Sequence, residues 1–285
     1  MQLLRFASLL ALAACTGASA STEDAPLIGG SADGARAVGA FVSGGRSFCT
    51  GTLVAPRVVV TAKHCTENMP ADAVFAFGAD ARAPERVVAI ERFVRATPDR
   101  GGFIGKGNDV AGVVLAEDVV DIAPIPVAAQ ALGAGEIGQR FVVIGYGVQG
   151  SGQPRDQRTR GEITLLAVDG APLPTRYPTV DRFLDAARDH YDRELGTFEI
   201  EDLTLKYERK LLAGYEAYLS DGTVQTCHGD SGGPILRTTA GGGVEVVAVV
   251  SGGPLPGTVS RPTTCDGGNL VGVIGEPARA MLSAL

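Results

Sequence analysis

The hexapeptide Gly229-Asp230-Ser231-Gly232-Gly233-Pro234 sets a serine among glycines. A serine that attacks a carbonyl needs backbone N–H groups beside it to hold the oxyanion that forms. Glycine on both sides lets the main chain turn those donors inward and leaves room for a substrate. A hydroxyl is a weak nucleophile, so a base must stand close by. Thr61-Ala62-Lys63-His64-Cys65 offers one, because imidazole titrates near neutrality. The chain has only three histidines. His190 falls in a helical pattern, where a solvated face is expected, and His228 is better placed to line a substrate pocket than to act as base. Asn108-Asp109-Val110-Ala111 puts an acid at the entry of an apolar strand, which is costly without a partner. The imidazole N–H of His64 would be that partner, fixing its tautomer. Each segment alone has a bland reading, as a Gly-rich turn, a structural histidine or a turn aspartate. Together they describe a hydroxyl made able to attack an acyl group.

Three residues so far apart in sequence need a rigid scaffold. The chain has 285 residues, enough for one large β domain or two ordinary ones. It is 45% hydrophobic and 20% charged, and its 39 Gly and 16 Pro favour many tight turns over long helices. Short β-branched runs bounded by Gly, Pro and Asp read as strands: Val58–Val60, Val87–Ile90, Val110–Leu115, Phe141–Ile144 and Val244–Val250. Strands at this spacing indicate a sandwich or barrel. Residues 172–220 differ. Asp181–Leu195 carries Phe183, Leu184, Ala187, Tyr191 and Leu195 on one helical face, and Tyr207–Tyr218 reads as a weaker second helix with Leu211, Leu212 and Tyr215 apolar. This stretch reads as an insertion in a β protein, not a separate domain. Pro277 opens a short final helix through Leu285. A net charge of −7 without a basic run argues against nucleic acid as a partner.

The N-terminus reads as an export signal, with Arg5 followed by an apolar stretch from Phe6 to Ala14 that is too short to span a bilayer. Leu12-Ala13-Ala14-Cys15 resembles a bacterial lipobox with Cys15 as lipidation candidate, while Ala18-Ser19-Ala20 offers ordinary secretory cleavage after Ala20. Either route exports the chain, to the medium or to a lipid anchor on the bacterial envelope; residues 21–26 then form a short linker or pro-segment. Without Cys15 four cysteines remain, Cys49, Cys65, Cys227 and Cys265, in a compartment that permits disulfides, and spacing alone does not choose among the three pairings. No C-x-x-C pair is present, so no metal is expected, nor any cofactor.

With His64, Asp109 and Ser231 in that chain order, the sequence resembles the trypsin/chymotrypsin family of serine peptidases. Thr61–Cys65 matches the family's TAAHC with Lys63 in place of a small residue, Asn108–Gly112 matches NDIAL, and residues 229–234 match GDSGGP without change. The resemblance covers about Leu27 to Leu285 apart from 172–220. It implies an all-β fold of two packed six-stranded antiparallel barrels with the site in the cleft between them. It also implies disulfides Cys49–Cys65 and Cys227–Cys265, and oxyanion donors on the backbone of Gly229 and Ser231. Gln225, six before the nucleophile, would form the pocket floor where a trypsin has Asp, with Gly253 and Gly272 as walls and Ser251 at the edge that pairs with substrate. Leu27-Ile28-Gly29-Gly30 resembles the family's IVGG, so a cut before Leu27 would free an ammonium to pair with Asp230, making the chain a zymogen. The implied protein is a monomeric endopeptidase acting on protein or peptide, with no membrane contact except through Cys15. Two rivals remain. A non-catalytic relative would usually have lost one of the three residues, and an esterase on another fold would carry a G-x-S-x-G elbow in the order Ser, acid, His.

Overall fold

The computed structural model describes residues 31–32, 35–67, 69–148, 156–220, 224–255 and 265–285. After a two-residue strand, β1 (Ser31–Ala32), six strands build a first barrel: β2 (Val38–Ser43), β3 (Arg46–Ala55), β4 (Val58–Thr61), β5 (Val74–Phe77), β6 (Arg86–Arg95) and β7 (Ala111–Leu115). They pair antiparallel in the closed order β2-β3-β4-β7-β6-β5. The second barrel comprises β8 (Arg140–Gly145), β9 (Thr159–Ala167), β10 (Glu216–Leu219), β11 (Pro234–Thr238), β12 (Val244–Gly252) and β13 (Asn269–Val273). Its order, β9-β10-β13-β12-β11-β8, closes through the β8–β9 pairing, and β1 adds onto β9.

Closure pairs both edges of every strand in the two six-stranded barrels, and alternating side chains fill each interior. In β9 every second residue from Thr159 to Ala167 is buried. The first barrel is filled by Phe41, Phe75 and Phe77, packed tilted and edge-to-face with neighbouring ring centroids 4.9 Å apart. Each such ring contributes about 1.5–3 kcal/mol by leaving water. All of the strand runs read from the sequence are strands, and Pro277 sits in the first turn of a final helix, Glu276–Ser283.

The helical stretch is partly as read. A helix spans Val180–Tyr191, with Thr179 as N-cap, and buries Phe183, Leu184 and Ala187. His190 departs from expectation: it is buried, its ring 4.8 Å from that of Tyr191, and not on a solvated face. The second helix also departs, spanning Thr197–Glu208 instead of Tyr207–Tyr218. Gly214 takes a left-handed φ of +79°, and the Glu216 carboxylate accepts the Leu212 N–H at 2.8 Å, so the chain turns there and enters β10. The last residues of the 172–220 stretch therefore complete the second barrel. The two helices and the segment leading into them pack on that barrel through Leu173, Tyr177, Phe183 and Leu203 against Tyr218 and Leu255 in one shared core. Among the described residues no helix is long and apolar enough to cross a membrane.

Candidate active site

His64 sits in a single helical turn, Lys63–Glu67, that follows β4 directly. The Cys49–Cys65 disulfide ties this turn to β3. Asp109 lies two residues before β7, whose register fixes it opposite the end of β4. The His64 Nδ1 is 2.8 Å from Asp109 Oδ2, and Asp109 Oδ1 accepts the His64 backbone N–H at 2.9 Å. The Ser251 hydroxyl donates to the same Oδ2. A carboxylate only 1% exposed is thus held by three donors from two barrels. With Nδ1 engaged, Nε2 is the imidazole nitrogen left for the cleft.

The Ser231 turn is seated on the first barrel by Thr50, next to the disulfide. Thr50 N donates to the Ser231 carbonyl at 2.8 Å, and Thr50 Oγ1 donates to the Gly229 carbonyl at 2.7 Å. The Cys65 sulfur lies 3.6 Å from that Ser231 carbonyl oxygen. Gly232 has φ +81°, and a Cβ there would stand 2.0 Å from Thr61 Oγ1 and 2.9 Å from the Ala62 nitrogen. Only glycine allows the serine turn to sit against the segment leading to His64. The carbonyls of Gly229, Asp230 and Ser231 each accept a hydrogen bond, whereas the N–H groups of Gly229 and Ser231 donate to no acceptor among the described residues. Two free donors beside a serine are the arrangement an oxyanion needs. Replacing Thr50 by Val keeps the shape but removes the bond to Gly229 and the one accepted from Tyr146 N at 3.1 Å. We expect about 1–3 kcal/mol lost in urea unfolding from the stranded buried partners, with a lower kcat as the turn loosens.

His64 and Ser231 line one cleft of about 230 Å³, together with Thr226, His228, Ser251 and Gly253. The Cys227–Cys265 disulfide borders it. Gln225, adjoining the Thr226 wall, is buried. Its Oε1 accepts the Gly268 N–H at 3.2 Å, and its Nε2 has no partner among the described residues. Gly272 is corrected: it sits in β13 and packs on Asp109, where a Cβ would stand 2.8 Å from the Asp109 carbonyl oxygen, so it is no cleft wall. The glycine that meets Gln225 is Gly268, four residues earlier. The wall carboxylate, Asp266, is paired with Arg176 from the helical insertion at 3.2 Å.

Asp230 is buried behind the serine turn, its carboxylate accepting Gly147 N at 2.8 Å and Cys227 N at 2.9 Å. Burial pushes its carboxyl up to about 7 despite those two bonds. No basic side chain pairs with it among the described residues. Leu27 and Cys15 lie outside the described residues. Cys49, His64 and Cys65 also lie within 4.8 Å of one another, but the disulfide consumes both sulfurs as thiolate ligands.

The profile of the trypsin family matches residues 28–186, more than half of the chain, and includes His64 and Asp109. The chain belongs to the trypsin family, and it is a serine endopeptidase of that class. Among solved structures it is similar to neuropsin, a serine protease expressed in the limbic system of mouse brain. That match has 16% identity and a TM-score of 0.56, and covers 90% of this chain and 96% of the other. At that identity the likeness speaks for the two-barrel fold.

Sequence reasoning missed Thr50 and the part Ser251 plays in holding Asp109. Thr50 follows Cys49, but only strand pairing reveals that it faces the serine turn. Ser251 was expected at the substrate edge; it lines the cleft and also reaches the buried carboxylate.

Proposed function

We propose that Ser231 is the nucleophile of this endopeptidase, His64 its base and Asp109 the residue that orients the base. The observation carrying this is the 2.8 Å contact of His64 with Asp109, made by an imidazole that shares one cleft with Ser231. Nε2 of His64 takes the Ser231 proton as Oγ attacks the scissile carbonyl, then gives it to the leaving amine. The departing amine leaves an acyl-enzyme, which water hydrolyses by the same steps. The anionic Asp109 stabilises the imidazolium formed in between, and the N–H groups of Gly229 and Ser231 hold the oxyanion. His64→Ala should remove hydrolysis of a peptide library without unfolding the protein; a fully active variant would refute the assignment.

The neutral Gln225 cannot balance a buried guanidinium or ammonium. Asp266 is already paired with Arg176. A polar-uncharged or bulky apolar side chain before the scissile bond is therefore expected. The library's cleavage pattern tests this, and dominant cutting after Arg or Lys would contradict it.

Asp230 supports the reading of the chain as a zymogen. Its carboxyl, raised by burial, calls for a cation, and the ammonium of a freed Leu27 would supply it. In the uncut chain the folded state keeps this proton up to about pH 7, whereas an unfolded carboxyl releases it near about 4. Folding then takes up a proton between those values, so stability falls as pH rises through that window. Urea unfolding of the uncut chain at pH 5 and pH 8 should show the fall, and the cut form should lack it. Two disulfides suit an oxidising compartment and hence export. If Cys15 carries lipid, the cut that activates the enzyme also releases it.

A further inference from the structure

Lys63 stands where the family motif carries a small residue, and its side chain is 2% exposed. We propose that Lys63 is a positioning residue, which locks the loop bearing Asp109 onto the helical turn bearing His64; this rests on the catalytic reading above. An ammonium has three N–H donors, and burying it is costly unless each finds an acceptor. One loop, residues 98–106, supplies two hydrogen-bond acceptors and one ion-pair partner. Nζ donates to the Lys106 carbonyl at 2.6 Å and to the Pro98 carbonyl at 3.4 Å, and the Asp99 carboxylate lies 3.7 Å away.

The Pro98 carbonyl is the joint of the device. It accepts Lys63 from the histidine side and, at 2.8 Å, the backbone N–H of Asn108, the residue before Asp109. The Asn108 side chain donates to the Thr97 carbonyl at 3.3 Å. A Cβ on Gly107 would stand 2.2 Å from the same Pro98 oxygen, so only glycine, at φ +67°, lets the chain close here. The far side of the loop is held by the second barrel, where Glu216 accepts the N–H groups of Phe103 at 2.6 Å and Ile104 at 3.1 Å. Lys63 and Glu216 thus grip opposite sides of one loop, and Asp109 leaves from its base. A glycine-rich loop with Gly101, Gly102, Gly105 and Gly107 all at positive φ has little stiffness of its own. Its anchors must supply it.

A double-mutant cycle separates this role from plain stability. Lys63→Ala should lower kcat/KM about ten- to hundredfold through kcat, as a small misplacement of a catalytic group does. In an Asp109→Asn background, where orientation of the base is already lost, the same substitution should cost less than about twofold. Thermal melts and intact disulfides establish that the variants fold. Lys63→Met, which keeps the buried hydrocarbon, replaces Lys63→Ala in the cycle if the smaller residue collapses the turn. An equal loss in both backgrounds, or no loss in the parent, overturns the proposal. A parent enzyme without peptidase activity would instead overturn the catalytic reading itself.

Discussion

Ser231→Ala should lower kcat about a million-fold while leaving the melting temperature close to that of the parent. The size follows from how the site is built. Ser231 is half-exposed in the cleft, and its hydroxyl is needed for no bond that holds the turn. The turn is anchored through main-chain atoms: Thr50 to the Ser231 carbonyl, Gly232 N to Val250 O at 2.8 Å, and Gly233 N to Asp230 O at 2.8 Å. Removing the hydroxyl therefore removes the chemistry and little else. The residual rate would come from the oxyanion donors and binding. Adding His64→Ala to this variant should cost almost nothing further, because base and nucleophile act as one unit. Steady-state kinetics on a cleaved peptide, with calorimetry on the same samples, checks both statements.

Asp109→Asn should cost about ten-thousand-fold in kcat with KM little changed. The amide is close in shape to the carboxylate, so the reason is electronic. Asp109 receives three donors: His64 N, His64 Nδ1 and the Ser251 hydroxyl. An amide places an NH2 group where one of those oxygens accepts. If it faces Nδ1, the imidazole must turn its lone pair inward and present Nε2–H to the cleft, a tautomer unable to take the serine proton. The stabilising charge for the imidazolium is lost as well. Ser251→Ala should cost much less, since two bonds from His64 to Asp109 remain. A loss in Ser251→Ala as large as that in Asp109→Asn would show that the hydroxyl does more than hold the carboxylate.

How far the sequence revealed this molecule depends on the range of the interactions involved. Runs such as Val58–Val60 and Phe141–Ile144 are locally β-branched and bounded by turn residues, so their strands could be read directly. The helix at Val180–Tyr191 was equally legible, because Phe183, Leu184 and Ala187 recur on one face. The helix at Thr197–Glu208 was not. Its Phe198 and Leu205 are exposed, and only Leu203 is buried, so no apolar stripe announced it. The strand Glu216–Leu219 was hidden for another reason: it is defined by pairing with β13 and β9, not by its own pattern.

The site divides in the same way. His64, Asp109 and Ser231 each stand in a short contiguous motif, so they could be read from the chain locally. Thr50 and Glu216 do comparable structural work through long-range bonds that leave no local trace. Lys63 was visible as a departure from the family motif, but its meaning lay in a loop 35 to 43 residues away. Gly272 was misassigned because four residues separate it from Gly268, and counting along the chain cannot tell which of two nearby glycines approaches Gln225.

Reaction with an active-site phosphonate, followed by peptide mass spectrometry, bears most directly on the catalytic assignment. One adduct per chain on Ser231, formed by the parent and nearly abolished in His64→Ala and Asp109→Asn, is the predicted result. Labelling at another residue, or labelling of Ser231 at an undiminished rate without His64, would contradict it.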